Sequence, residues 1–374
     1  MRKLFVSMLG ISFVTVFSAG CQVRYMLPSF VPVVQKAPAK RLNPSIGNAT
    51  SVTSRTQAIN HCRLQLRGVV DCFAIDVKYG NVAKEMEVLA QDMLNTGLAV
   101  AMEMECTGRK VLFTPRYSDS VLMLRAHKYP YYRSTLTPQM SAALKKAQRI
   151  VAKVSLTNFT DYSKAVALHD YLIKNARYDS RLGNAAREDA TTKLLLEGIS
   201  MCDGYAHTYG LLLSIAGIES RFVIGKTDGI EHIWNLVKLN GQWTHIDVTY
   251  DDPKPDVPGR VLHNYFGLSD ARIATNHQWD RKLFPKATSE KLFHPIHEGH
   301  RFATAGEMLK WAAKHPKGKA WGVTVFIDEV AQVKSDSAIK AKLEASSQLL
   351  GLDILGSVSL DPGVRGAIYC TFTN

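Results

Sequence analysis

An α+β fold is predicted for this chain by three observations on its sequence. Two separate stretches, residues 69–117 and 321–372, each read as a strand, an amphipathic helix and a strand hairpin. Between them lies a run of helical periodicities from Thr137 to Ala216. That run is followed by two β-rich segments joined at Asn240-Gly241, the strongest short signal for an antiparallel hairpin.

The composition sets the frame for these elements. A length of 374 residues, 46% hydrophobic and 21% charged, suits a globular chain of two to three domains with a sizeable core. The net charge of +13 is unusual and calls for anionic surroundings such as membrane headgroups or an acidic wall polymer. Nucleic acid is not expected as a partner, because the chain has no compact Lys/Arg block and no aromatic–basic motif.

Arg2 and Lys3, the apolar stretch Leu4–Phe17 and the small residues Ser18-Ala19-Gly20 before Cys21 read as a secretory signal over residues 1–20. The ending resembles a bacterial lipobox, with Ser18 in place of its usual Leu, and implies that Cys21 carries lipid. The expected location is extracytoplasmic, in a bacterial cell envelope, with the membrane reached through that lipid. Residues 21–56, with Pro28, Pro32, Pro38 and Pro44, read as a tether. Cys62, Cys72, Cys106 and Cys370 could pair in three ways in an oxidising compartment, and spacing does not choose among them.

The N-terminal α/β unit, residues 57–134, is expected to hold strands Cys72–Val77 and Leu98–Glu105, a helix Val82–Asn95 ended by Gly97, and a return from Lys110 to Pro115. Thr137-Pro138 is an N-cap and first-turn pair, opening a helix that runs to Val154. Asp161–Asn175 forms the next helix and contains His169, read as a packed or surface residue. Ala190–Leu196 then leads to Gly198. The C-terminal unit, 298–374, repeats the order of the first with strand Trp321–Asp328, helix Ser337–Leu350 and strands Leu352–Ser359 and Ala367–Phe372. Identity between the two units is too low to read a repeat from sequence.

The chemistry gathers in the domain between them, residues 135–297. Tyr205, Ala206, Tyr209, Leu212, Leu213 and Ala216 recur at spacings of three and four, and Gly217 stops the run. Cys202 therefore sits in the first turn of a buried helix, where unpaired N–H groups and the positive helix end favour a thiolate and an oxyanion. Strand Glu231–Leu239 returns as Gln242–Tyr250 through a two-residue turn at Asn240-Gly241, which makes Leu239 face Gln242, Trp234 face Asp247 and His232 face Thr249. His232 and Asp247 are then diagonal neighbours ~7–8 Å apart at the backbone, close enough for a carboxylate to reach one imidazole nitrogen. A slip of one residue would put them on opposite faces. His245 shares the face of Asp247 but lies further along the hairpin. Asp251 and Asp252 read as a turn, and His263 and His277 as residues bordering the cleft.

Taken together, Tyr178-Asp179, Gly198–Ala206, Gly217-Ile218, His232-Ile233-Trp234-Asn235-Leu236-Val237, Asn240-Gly241-Gln242-Trp243, Asp247–Pro253 and Tyr265–Asp270 resemble the transglutaminase-like superfamily, in particular its secreted bacterial members. The resemblance covers residues 135–285. It implies a papain-like core in which the cysteine-bearing helix packs on an antiparallel sheet, with Cys202 as nucleophile, His232 as base and then acid, and Asp247 orienting His232. It implies protease or amidase activity ahead of amine cross-linking, on a protein or peptide substrate or a cell-envelope polymer. Three departures bear on pocket shape: Ser200-Met201 for a Gly-x pair, Asp203 for Glu and Ile233 for Ala. No cofactor or metal is expected, since neither Cys-x-x-Cys nor an acidic loop of calcium-binding spacing occurs. The alternative is a non-catalytic envelope module that uses the same fold for binding; a weaker one is a scaffold in which Cys202 forms a disulfide.

Overall fold

The computed structural model describes residues 21–26, 48–154, 160–179, 189–252, 260–314, 321–333, 335–351, 355–360, 364 and 366–372. The signal read at 1–20 and most of the tether lie outside these residues, as does the side chain of Cys21. The described chain mixes helices with mainly antiparallel sheets, as the α+β reading expects. It divides into two compact units that cut across the three-part division 57–134, 135–297 and 298–374. Among the described residues, one unit holds those up to 151 with those of 179–215 and 221–224, and the other holds those of 152–178, 216–220 and from 225 onward.

In the first unit a five-stranded sheet runs in the order Cys21–Met26, Ala99–Thr107, Lys110–Tyr117, Phe73–Val77, Thr50–Val52. Helices Arg55–Arg67 and Val82–Leu94 supply Cys62, Leu66, Met86, Leu89 and Met93 to the same core as Val111 and Phe113. Two of these strands, Cys21–Met26 and Thr50–Val52, fall inside the segment read as a tether. The first is held as an edge strand by its register on Ala101–Cys106. Helix Asp119–Lys128, which the sequence reading missed, packs against Ala190–Glu197 and Cys202–Ile215. That packing explains why the helix carrying Cys202 belongs with the N-terminal sheet.

The second unit holds two sheets, except that residues 221–224 of the strand Ser220–Thr227 are grouped with the first. One runs in the order Phe266–Leu268, Gln242–Ile246, Ile230–Leu239, Ser220–Thr227, His277–Trp279. The other runs Arg301–Phe302, Trp321–Ile327, Ala367–Phe372, Leu355–Leu360, with helices Ala305–Ala312 and Asp336–Leu350. The turn at Asn240-Gly241 has both residues at positive φ, 50° and 77°, and Leu239 pairs with Gln242 as its two-residue length requires. The returning strand does not reach Tyr250. It ends at Ile246, because the Asp247 carboxylate accepts the amides of Thr249 and Tyr250 and starts a one-turn helix, Val248–Asp251.

The two α/β modules share a topology that their sequences conceal. In each, a short strand and a helix precede a parallel strand, then a helix and an antiparallel hairpin follow. The fourfold strand order is the same: Ala99–Thr107, Lys110–Tyr117, Phe73–Val77, Thr50–Val52 in one and Leu355–Leu360, Ala367–Phe372, Trp321–Ile327, Arg301–Phe302 in the other. Their first helices even start alike, in capping boxes. Ser54 accepts the Gln57 amide while Gln57 accepts that of Thr53 at 2.8 Å; Thr304 accepts the Glu307 amide while Glu307 accepts that of Ala303 at 3.0 Å.

Cys62, Cys202 and Cys370 are free thiols. None of the described helices is long and apolar enough to cross a membrane.

Candidate active site

Cys202 is the first residue of the helix Cys202–Ile215 and is 7% exposed. Its helix is buried on every side as far as Leu213, which explains its nearly continuous apolar sequence. The approach to the cysteine is fixed from several directions. Gly198 caps the preceding helix in the left-handed region at φ 73°. Ser200 accepts the Asp179 amide through its carbonyl at 3.0 Å. Its hydroxyl lies where a side chain at position 204 would be, so the site requires Gly204. Asp203 turns its carboxylate to the Gly204 amide at 2.9 Å.

Asp119 anchors this approach from beneath. It is fully buried, and its carboxylate accepts the amides of Thr191 and Thr192, at 3.3 and 2.6 Å, from the first turn of Ala190–Glu197. Burial raises its carboxyl to about 6, with the hydrogen bonds from Thr192 and Thr191 opposing the rise. His207, one turn beyond the cysteine, meets the Ser120 hydroxyl at 3.1 Å. Neither Asp119 nor His207 stood out in the sequence, because each lacks a local pattern.

In the other unit the hairpin brings His232 and Asp247 together. His232 Nε2 donates to Asp247 Oδ2 at 2.6 Å, leaving Nδ1 as the ring nitrogen that the carboxylate does not take. The same oxygen receives His277 Nε2 at 3.0 Å, while Oδ1 receives the Thr249 and Tyr250 amides at 3.0 and 3.2 Å. Burial pushes the Asp247 carboxyl up, but the His232 imidazole, its hydrogen bond and His277 together hold it well below the usual carboxylate range. Trp234 stacks near His232 with ring centroids 5.9 Å apart, and the Tyr250 ring meets it edge-on at 5.2 Å. Trp234 can lie there because Gly225 has no side chain to meet its ring or the Gln278 carbonyl.

The hairpin thus pairs the predicted base and its orienting carboxylate, and Cys202 lies in the first unit. His245, the competitor, is structural: it accepts from Trp234 Nε1 at 3.0 Å and bonds Asp270 through Nε2 at 2.9 Å. His277 is closer to the chemistry than the sequence reading placed it, since it comes from an edge strand 30 residues downstream of Asp247. His169 is also more than packing. It is fully buried and reaches Asp170 and Asp251, both at 3.1 Å.

Two groups, His232 with Asp247 and His277, and His169 with Asp170 and His263, bring donor atoms within 4.8 Å of one another and are spaced to hold a metal ion. Sequence spacing gave no hint of them because each draws on segments far apart in the chain. In both, the carboxylate already accepts from both imidazoles.

Residues 147–248 match the model of the transglutaminase-like superfamily, so the chain carries a transglutaminase-like core. Cys202, His232 and Asp247 all fall inside that stretch. Among relatives, the chain is 41% identical over 63 residues to a peptide-N(4)-(N-acetyl-beta-glucosaminyl)asparagine amidase of Caenorhabditis briggsae, covering 16% of this chain and 10% of that one. It is 26% identical over 155 residues to the kyphoscoliosis peptidase of Homo sapiens, covering 33% of this chain and 23% of that one. The match therefore spans only a small part of either relative's length. Among solved structures, one described as a TGase is similar over 54% of this chain and 59% of its own, at 15% identity and a TM-score of 0.28.

Proposed function

We propose that the chain is a cysteine-dependent acyl-transfer enzyme that cleaves peptide or side-chain amide bonds, with Cys202, His232 and Asp247 as its catalytic residues. The observation that carries this reading is the 2.6 Å bond from His232 Nε2 to Asp247, which orients the imidazole for proton exchange with a thiol. Support also comes from the order of the three residues within the transglutaminase-like stretch, and from relatives named as an amidase and a peptidase.

In the proposed reaction His232 takes the thiol proton and the Cys202 sulfur adds to the carbonyl carbon. The helix-start amide of Cys202 donates to the oxyanion. As the intermediate collapses, the carbon–nitrogen bond breaks and His232 returns the proton to the leaving amine. Water then gives its proton to His232 and attacks the thioester, releasing a carboxylic acid and the thiol. An amine in place of water would give a new amide; hydrolysis is the favoured outcome of this reading.

The test is labelling with a thiol-reactive activity probe, combined with a screen of labelled peptides and amine donors. Cys202 should label much faster in native than in denatured protein, and both Cys202→Ala and His232→Ala should abolish turnover. Turnover that survives Cys202→Ala would sink the proposal. Binding to cell-wall material that both variants leave unchanged, with no turnover in wild type, would favour the binding module instead.

The location is part of the same reading. Arg2–Cys21 directs export and a lipid on Cys21 holds the enzyme in the envelope. Cells expressing the full chain should incorporate labelled palmitate into wild type and not into Cys21→Ser; equal labelling of the two would remove the anchor.

A further inference from the structure

The short helix Val248–Asp251 is held by a pair that no catalytic role explains. Asp251 and His169 are both fully buried, and His169 Nε2 lies 3.1 Å from Asp251 Oδ2. The other oxygen of Asp251 accepts the Tyr265 amide at 2.9 Å. Tyr265 also accepts the Asp247 amide through its carbonyl at 3.1 Å, and the Asp251 amide closes the turn on the Asp247 carbonyl at 3.2 Å. One residue, Tyr265, therefore grips both ends of the turn that starts at Asp247. His169 ties the far end to the helix Asp161–Asn175, where its Nδ1 meets Asp170 at 3.1 Å and Asp170 in turn meets His263 at 2.8 Å.

We infer that Asp251 and His169 are positioning residues for the Asp247–His232 pair. They act as one clamp that sets the direction of the Asp247 carboxylate through the one-turn helix between them. The physical reason lies in the length of that helix. Four residues make too few internal hydrogen bonds to hold a turn by themselves. The direction of the Asp247 side chain is then set by whatever fixes the turn's last residue. Tyr250, on the same turn, carries the consequence to the imidazole. Its hydroxyl donates to Thr227 at 2.7 Å, and its ring lies against His232. Neither Asp251 nor His169 needs to touch substrate for this role.

The inference rests on the proposed function for its catalytic meaning, but its geometry can be read independently. The imidazole N–H bonded to Asp247 should give a far-downfield, exchange-protected proton resonance in wild type, assigned by its loss in His232→Ala. Asp251→Asn and His169→Gln should shift or broaden that resonance while the rest of the amide spectrum is kept. The rate of Cys202 alkylation by iodoacetamide at neutral pH should fall roughly tenfold in each variant, the size of about one hydrogen bond to a charged group. The double variant should be no slower than the slower single, since the two residues form one clamp.

A folded Asp251→Asn or His169→Gln with the wild-type resonance and alkylation rate would overturn the inference. So would unfolding of both, which would assign the pair to folding alone. Failure of the functional proposal looks different: alkylation would be indifferent to His232→Ala, yet the clamp variants would still move the resonance.

Discussion

At Asp247 four donors converge on two oxygens, two amides on Oδ1 and two imidazoles on Oδ2. This saturation explains how a fully buried carboxylate stays ionised, and it makes Asp247→Asn an informative change. Asparagine is as good an N-cap as aspartate, so its oxygen can keep the Thr249 and Tyr250 amides. Its NH2 group would then face two imidazole nitrogens that now act as donors. His232 must turn its tautomer, placing the proton on Nδ1, where it can no longer accept one from a thiol. The variant should lose roughly 10²–10⁴-fold in turnover, the usual share of acid–base catalysis. Its stability should fall by only about 1–3 kcal/mol, the cost of a buried hydrogen bond left unmade. Urea titration and probe labelling check both halves. Wild-type turnover in a folded Asp247→Asn would remove Asp247 from the machinery.

Elements with a strong period or a hard stop were legible in the sequence, and the rest were not. Asp161–Asn175 and Ala367–Phe372 match their expected bounds, and the hairpin register follows from Asn240-Gly241 alone. Helix Arg55–Arg67 was hidden because its only buried residues are Ala58, Cys62 and Leu66, spaced four apart among Arg, Gln and Asn. Strands of two or three residues, such as Thr50–Val52 and Arg301–Phe302, are too short for alternation to appear. These missed pieces are the ones that reveal the shared topology of the two α/β modules. The overextended strand to Tyr250 has a different cause. There a side chain outcompeted the ladder for the backbone amides, a switch that residue types permit but do not announce. His277 and Asp251 escaped for a similar reason: their partners are far away in sequence, and a lone His or Asp has no period.

On the scale of the molecule, buried titrating groups should shape how stability depends on pH. Burial alone would lower His169, but its hydrogen bonds to Asp170 and Asp251 and their charges outweigh that and raise it from 6.5 to about 9. Its stabilising contribution is therefore complete below pH 6.5 and is lost as the pH rises through about 9. Asp170, pushed up by burial and pulled further down by its bonds to His169 and His263, sits well below the carboxylate range, as Asp247 does. Their contributions are present at neutral pH and are lost as the pH falls below the ordinary value of 3.8. His245 and His294, which burial lowers, are held neutral, and they lose their contribution as the pH falls from 6.5. The buried thiols Cys62 and Cys370, raised by burial to about 12, begin to cost stability only above their ordinary 9.0. Between pH 6.5 and about 9, His169 supplies a contribution that is lost as the pH rises. Thermal melts across this interval should show a steeper fall of the midpoint for wild type than for His169→Gln. Parallel slopes in the two proteins would show that the His169 imidazolium is not what the fold is holding.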